Sequence, residues 1–297
     1  GDITIRSDGA ISLGSVLVQG GNGSGGTGGN SGDITLTTLD TAGLILDVPL
    51  VARGGTGSSE GNGGTVRLNA WRDGGITQLE GAYIDARQLI VYSHDRTLTE
   101  PLSGSVTLDD PSNAVDRLSI QLLGDDRPGP AHDFKFVNST ALTLFKHSTR
   151  GFYSDGLVDI DVGSNALVVD GLVELRTPGG LKVRAGDVTT RQEMRVSGGI
   201  DFSQVSGDID IQDRIFVGGG DVVVGNGQGK IIVQAGVEVA DGYHFKAYGT
   251  HFEFAKGLGD IGTGYYDTLR TIGGNIDLRG ITGEVWIEEN VDTGGGD

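Results

Sequence analysis

Apolar residues recur along this chain in short alternating runs set between glycines, beginning with Ile3-Thr4-Ile5, Ile34-Thr35-Leu36 and Val66-Arg67-Leu68. Alternation with a period of two puts every second side chain on one face, so each run predicts a half-buried strand. The runs share a token: Gly, a small or polar residue, then the alternating triplet. Copies begin at Gly1, Gly32, Gly64, Gly104, Gly207, Gly220, Gly229, Gly274 and Gly283, and the first three stand 31 and 32 residues apart. No segment carries a convincing 3.6-residue period, so helix content is expected near zero.

Within the first copy, Ile3–Ile5, Ala10–Leu13 and Ser15–Val18 follow one another with corners at Ser7-Asp8-Gly9 and Gly14. Runs this short do not stand alone, and a sandwich would need longer strands joined by two-residue hairpins. Stacking three-strand coils in parallel, so that inward side chains share a column, is the remaining solution. The fold expected is therefore all-β, a parallel β-helix of roughly 10–13 coils advancing about 4.8 Å each, about 50–60 Å long. Ile3, Ile5, Ile34, Leu36, Val66 and Leu68 should form its inward columns, with Thr4 and Thr35 outward.

The chain reads as one domain, 1–297, with three textures. Over 1–84 the coils carry Gly-rich insertions, 20–31 and 54–63, at matching corners one repeat apart. Their bland reading is a flexible or loosely packed loop; a phosphate-cradling loop would need the Lys-Ser/Thr of a P-loop and a following helix, and both are missing. Over 85–155 glycine thins out and four of the six prolines gather, which predicts wider turns, the widest at Gly124–Pro130. Over 156–297 the compact spacing resumes.

Composition narrows the function. The chain has 297 residues, of which 54 are Gly and none Cys, and a formal charge of −18. Glycine without a Gly-X-Y period and with scarce Pro excludes collagen. Lack of Cys excludes a disulfide scaffold and a thiolate metal site. Strong acidity without a Lys/Arg cluster argues against nucleic acid or an anionic membrane as partner. No apolar run approaches the ~20 residues of a membrane span. The start at Gly1 without a basic and apolar leader reads as a mature product or an excised segment.

The stretch Gly75-Ile76-Thr77-Gln78, Ala86-Arg87-Gln88-Leu89, Ser105-Val106-Thr107-Leu108, Ser112-Asn113-Ala114-Val115 and Phe136-Val137-Asn138-Ser139-Thr140-Ala141-Leu142-Thr143-Leu144 resembles the repeat grammar of filamentous-haemagglutinin-like bacterial exoproteins. The likeness covers residues 1–145 and becomes diffuse after that. It implies a right-handed parallel β-helix in a secreted protein of the two-partner-secretion type, at the bacterial cell surface, serving as adhesin, stalk or filament. Neither that family's N-terminal secretion domain nor a toxin module is recognisable in the sequence.

Candidate chemistry is thin. Asp109-Asp110 and Asp125-Asp126 are adjacent pairs, while Asp159/Asp161 and Asp208/Asp210 alternate along strands and so share a face. Glycoside hydrolysis needs two carboxylates about 5–10 Å apart across a sugar groove. The Asn-Thr-Asp and Gly-His-Gly signatures of pectin-cleaving β-helices are absent, so these acids read as solvated faces, no catalytic residue is assigned and the chain is not read as an enzyme. Calcium suits loop oxygens better, yet the Gly-rich corners lack the spaced Asp of the calcium-binding nonapeptide. Cofactors are therefore expected to be none, with calcium as the competing reading. His94, His132, His147, His244 and His251 show no tight ligand spacing, and no metal site is assigned.

The densest aromatic cluster, Tyr243–Phe254, should point Phe245, Phe252 and Phe254 inward and His244, Lys246, His251 and Glu253 outward, with Gly249 able to shift the register. The bland reading is stacking in successive coils. The functional rival is a sugar-binding platform of Tyr248 flanked by His244 and His251.

Together these readings predict a structural segment of a secreted or cell-surface bacterial adhesin or filament. A carbohydrate-binding or carbohydrate-active β-helix is the alternative, and a trimeric phage fibre the third. The closing Gly294-Gly295-Gly296-Asp297 repeats the opening token, and neither end shows a polar cap. Partners expected are further coils of a longer chain, identical copies head to tail, or surface glycans.

Overall fold

The computed structural model describes residues 1–9, 11, 13–39, 43–71, 74–94, 104–123, 132–147, 151–176, 179–255, 268–288 and 290–294, and among them there are strands, turns and bends but no helix. The strands pair in parallel, and the fold is a parallel β-helix. Two compact units, Gly1–Thr143 and Leu144–Asp297, make up the chain.

Unit 1 has three walls. On one, Ile3–Ser7, Ile34–Thr38 and Thr65–Trp71 stack in register, so that Ile3, Ile34 and Val66 form one column and Ile5, Leu36 and Leu68 the next. These are the columns expected. Ile34, Leu36, Val66 and Leu68 are fully buried, while Ile3 and Ile5, with a stacked strand on one side, are half-buried. The second wall aligns Leu44, Ile76, Val106 and Phe134, and the third aligns Val16, Leu50 and Ile84.

The strand Ile84–His94 serves two walls: its first residues pair with Leu50–Ala52 and its later ones with Thr65–Trp71. The chain bends between them where Ala86 and Leu89 both point inward and Arg87 and Gln88 lie between on the outside. Two consecutive outward residues thus turn a corner without breaking the ladder. The Gly124–Pro130 turn lies outside the described residues.

The Gly-rich insertions are not loose. Both leave one corner of unit 1 and lie on each other, with backbone hydrogen bonds from Gly23 N to Thr56 O (2.8 Å), Gly28 N to Ser59 O (2.9 Å) and Ser58 N to Gly26 O (2.8 Å). Each also closes on itself, through Gly29 N to Gly21 O and Gly61 N to Gly55 O. Asn22 and Asn30 accept from the amides of Thr56 and Asn62 in the loop above. A Cβ on Gly28 would fall on the carbonyl of Gly55, and one on Gly20 on the carbonyl of Gly29. Glycine is required there by backbone-to-backbone packing, and no single loop's sequence displays its partner loop.

Unit 2 repeats the plan more tightly. One coil runs Leu181–Ala185, Val188–Thr190, Met194–Val196, and the next, Ile200–Val205, Ile209–Ile211, Ile215–Val217, pairs with it strand for strand. The buried rows, for example Val188, Ile209 and Ile231, are mostly β-branched or aromatic, as a pleated and densely packed wall favours.

The Gly-Asp token has a second function besides starting a strand. Asp2 Oδ1 accepts the amide of Asp33 (2.9 Å), and Asp33 Oδ1 that of Thr65 (2.8 Å). In unit 2 Asp187 accepts from Asp208 N and Asp208 from Lys230 N, both at 2.8 Å. Each carboxylate therefore satisfies an amide at the entry of the next coil, a charge-assisted bond that ties coil to coil. Part of the chain's acidity is thus structural.

Candidate functional sites

Unit 1 holds a buried polar ladder built from the motif residues. Gln78 Nε2 donates to Ala82 O and to Asn113 Oδ1, both at 2.7 Å, and Asn113 Oδ1 also accepts Ile84 N at 2.8 Å. Asn113 Nδ2 donates to Val137 O at 3.0 Å, and Asn138 Oδ1 accepts Val115 N at 2.9 Å. Successive coils thus exchange side-chain bonds at one corner, where the backbone turns and cannot pair with itself. Unsatisfied, these buried groups would cost about 1–3 kcal/mol each. The ladder is fully occupied with structural bonds.

The aromatic segment of unit 2 splits across two walls. Phe245–Gly249 lies on one and His251–Phe254 on the next, with Thr250 at the corner. Phe245, Phe252 and Phe254 are inward and fully buried, and His244, Lys246, His251 and Glu253 are outward, as expected; the alternation breaks at Gly249, which is buried like Phe252 three residues on. The corner at Thr250 puts His251 on a different strand from Tyr248, and His244 just precedes the strand of Tyr248. His251 Nε2 lies 3.8 Å from Glu253. His244 Nδ1 accepts Asn275 N at 2.9 Å, which makes it another rung of the coil-to-coil ladder above Asp221, whose Oδ1 accepts His244 N.

Tyr248 sits among charges: its hydroxyl donates to Asp277 at 3.0 Å and the Arg279 guanidinium lies 5.3 Å from its ring. Beside it Lys246 Nζ reaches Asp221 Oδ2 at 2.6 Å. Burial pushes Asp221 up, but the bonds from Lys246 and the His244 amide outweigh it and hold the carboxyl below its usual range. The Arg279 bond, and then Tyr248, hold Asp277 low against its burial. Burial and the bond to Asp277 keep the Tyr248 phenol protonated.

Asp109, Asp110, Asp161, Asp208 and Asp210 have local partners. Asp109 meets Lys135 at 2.7 Å, Asp110 caps the turn at Ser112, and Asp161 faces Arg184 at 3.3 Å. Asp208 supports the ladder and Asp210 accepts from Gln212 and Gln234. Asp125 and Asp126 lie outside the described residues. Among the described residues no three His, Asp or Glu side chains gather closely enough to hold a metal ion, and no helix is long and apolar enough to cross a membrane.

A groove that the sequence does not announce lies on the outer face of unit 2. Register aligns the outward residues Arg195, Phe216, Glu238, Arg270 and Asp292 on five successive strands. Two hollows of about 430 and 400 Å³ adjoin at Phe216. They exist because Ser197 and Gly218 on one side of the ring and Gly236 on the other present little or no side chain. Arg195 and Arg214 stand 5.9 and 5.5 Å from the Phe216 centroid and share the carboxylate of Glu193. Arg270 pairs with Asp292 at 3.4 Å.

Comparison of this chain with protein-family models, with curated proteins and with solved structures finds no match.

Proposed function

We propose that the chain is a structural segment of a secreted bacterial surface adhesin or filament, in which stacked coils serve as stalk. The observation that carries this reading is where the polar side chains go. The token carboxylates, the paired glycine loops and the Gln78–Asn113–Asn138 corner all bond one coil to the next. The resemblance of residues 1–145 to filamentous-haemagglutinin-like repeats supports the same reading, since the residues that carry it are those that hold the coils together.

The coil of Ile276–Gly280, Val285–Ile287 and Asn290–Asp292 extends the argument. Val285 and Ile287 continue the inward rows of Phe252 and Phe254, yet are 42% and 44% exposed, against 0% for the two phenylalanines. An apolar row flanked by open strand edges accepts another parallel coil. The occupant is a coil of the same kind, delivered in this segment by a second copy stacked head to tail. Electron microscopy and concentration-dependent light scattering test this: the chain should elongate in steps of one chain length, and V285K/I287K should stop the growth without melting the fold. A monomer at every concentration would contradict the reading, as would a compact trimer, which would favour a fibre of the phage type.

A further inference from the structure

The outer groove of unit 2 has a chemistry that coil stacking does not use. Its floor is a half-exposed aromatic ring; its walls are guanidinium and carboxylate groups; and along it the five outward residues Arg195, Phe216, Glu238, Arg270 and Asp292 follow one another rung by rung. Four steps at the strand spacing span roughly 19 Å. The groove runs across the strands, and a ligand lying in it meets a new side chain about every 4.8 Å. That advance is close to one pyranose unit of an extended β-linked chain. An extended peptide, whose side chains on one face recur every two residues, about 6.6 Å, falls out of step with the rungs.

Charge selects further. Arg195 and Arg214 share Glu193, and Arg270 faces Asp292; with Glu238 counted, the three guanidiniums of the groove are matched by three carboxylates, so the groove offers no net positive charge to an anionic ligand. Glu238, between Phe216 and Arg270 in the row, is exposed and has no hydrogen-bond or ion-pair partner among the described residues. It is a free acceptor for hydroxyl donors. The whole chain, at −18, repels polyanions. An aromatic face with flanking planar polar groups suits a sugar ring, whose C–H face packs on the ring while its equatorial hydroxyls reach the sides.

We propose that this groove binds a neutral linear oligosaccharide, one hexose per rung, with a sugar packed on Phe216 and its hydroxyls donating to Glu238. This is a binding site in addition to the stacking role and does not depend on it. A lectin-type site with exposed polar walls of this kind works without catalysis, by summing weak contacts over several units.

The test uses the full chain and defined probes: an array of neutral linear glycans, then calorimetry with β-1,4-linked glucose and N-acetylglucosamine hexasaccharides, with hexagalacturonate and an acidic extended peptide as rivals. Binding of at least one neutral glycan is expected, growing with length up to about five units at one per rung. F216A should weaken it roughly tenfold, the loss of one aromatic contact. E238Q, which keeps shape and removes the strongest acceptor, should weaken it several-fold, and E238R should block the groove. Position 238 is exposed, so its two variants stay informative should F216A disturb the wall. The Tyr248 variant Y248F, on another wall, should bind normally. No neutral glycan bound on the array, binding indifferent to all three groove variants, or preference for the uronate or the peptide would each overturn the proposal.

Discussion

At the residue scale, Asp221 illustrates how one carboxylate links two coils. One oxygen accepts the His244 amide and the other the Lys246 ammonium. Its folded pKa lies below the ordinary 3.8, so it contributes stability that is present above that value and lost as the pH falls through the folded value; Asp277 acts in the same direction. Lys246, held up first by its bond to Asp221, contributes stability that is present below 10.5 and lost as the pH rises through its raised value. Thermal melting followed from acid to alkali should therefore show a plateau that falls away below the carboxylate range and again above the lysine range. D221N should flatten both shoulders, because it leaves the amide acceptor but removes the charge.

The inward rows give a second residue-scale expectation. Ile34→Ala should cost about 2–4 kcal/mol, since Ile34 is fully buried and a cavity remains. Thr35→Ala, on the outer face, should cost under about 0.5 kcal/mol. Ile3→Ala should fall between them, because Ile3 is half-buried. Urea denaturation of the three variants checks the order, and equal costs for Ile34 and Thr35 would place the register wrongly.

At the element scale, the paired glycine loops were hidden in the sequence while the strands beside them were plain. Alternation is a local signal, and Ile34-Thr35-Leu36 displays it in three residues. The reason for Gly28, by contrast, is the carbonyl of Gly55, 27 residues further along, so a loop without side chains reads as loose until its neighbour is in place. Gly28→Ala should therefore destabilise unit 1 by roughly 1–3 kcal/mol through overpacking. Gly26→Ala, with open space where its Cβ would go, should change stability by less than about 0.5 kcal/mol. Melting of the two variants, with amide exchange followed over residues 20–62, distinguishes them. Corners such as Ala86-Arg87-Gln88-Leu89 were half legible: the motif was visible, and its meaning, inward residues three apart with two outward between, follows once the bend is seen.

At the scale of the whole molecule, register decides what meets what. Arg195, Phe216, Glu238 and Arg270 stand 21, 22 and 32 residues apart and have nothing in common as sequence, yet register sets them on neighbouring rungs. The groove was illegible for that reason. The stack of parallel coils in fixed register underlies the ladder, the glycine pairing, the groove and the proposed growth by further coils. Since the chain has no Cys, engineered pairs report register without background. Thr189 and Asp210 are outward and directly paired; at about 4.8 Å between strands their Cα atoms lie within disulfide range. Asp208, two residues before Asp210 and just ahead of its strand, stands about 8 Å from Thr189 and beyond that range. Mild oxidation should therefore close the disulfide in T189C/D210C and leave T189C/D208C reduced. Closure in the second pair and failure in the first would contradict the stacked-coil account at its foundation.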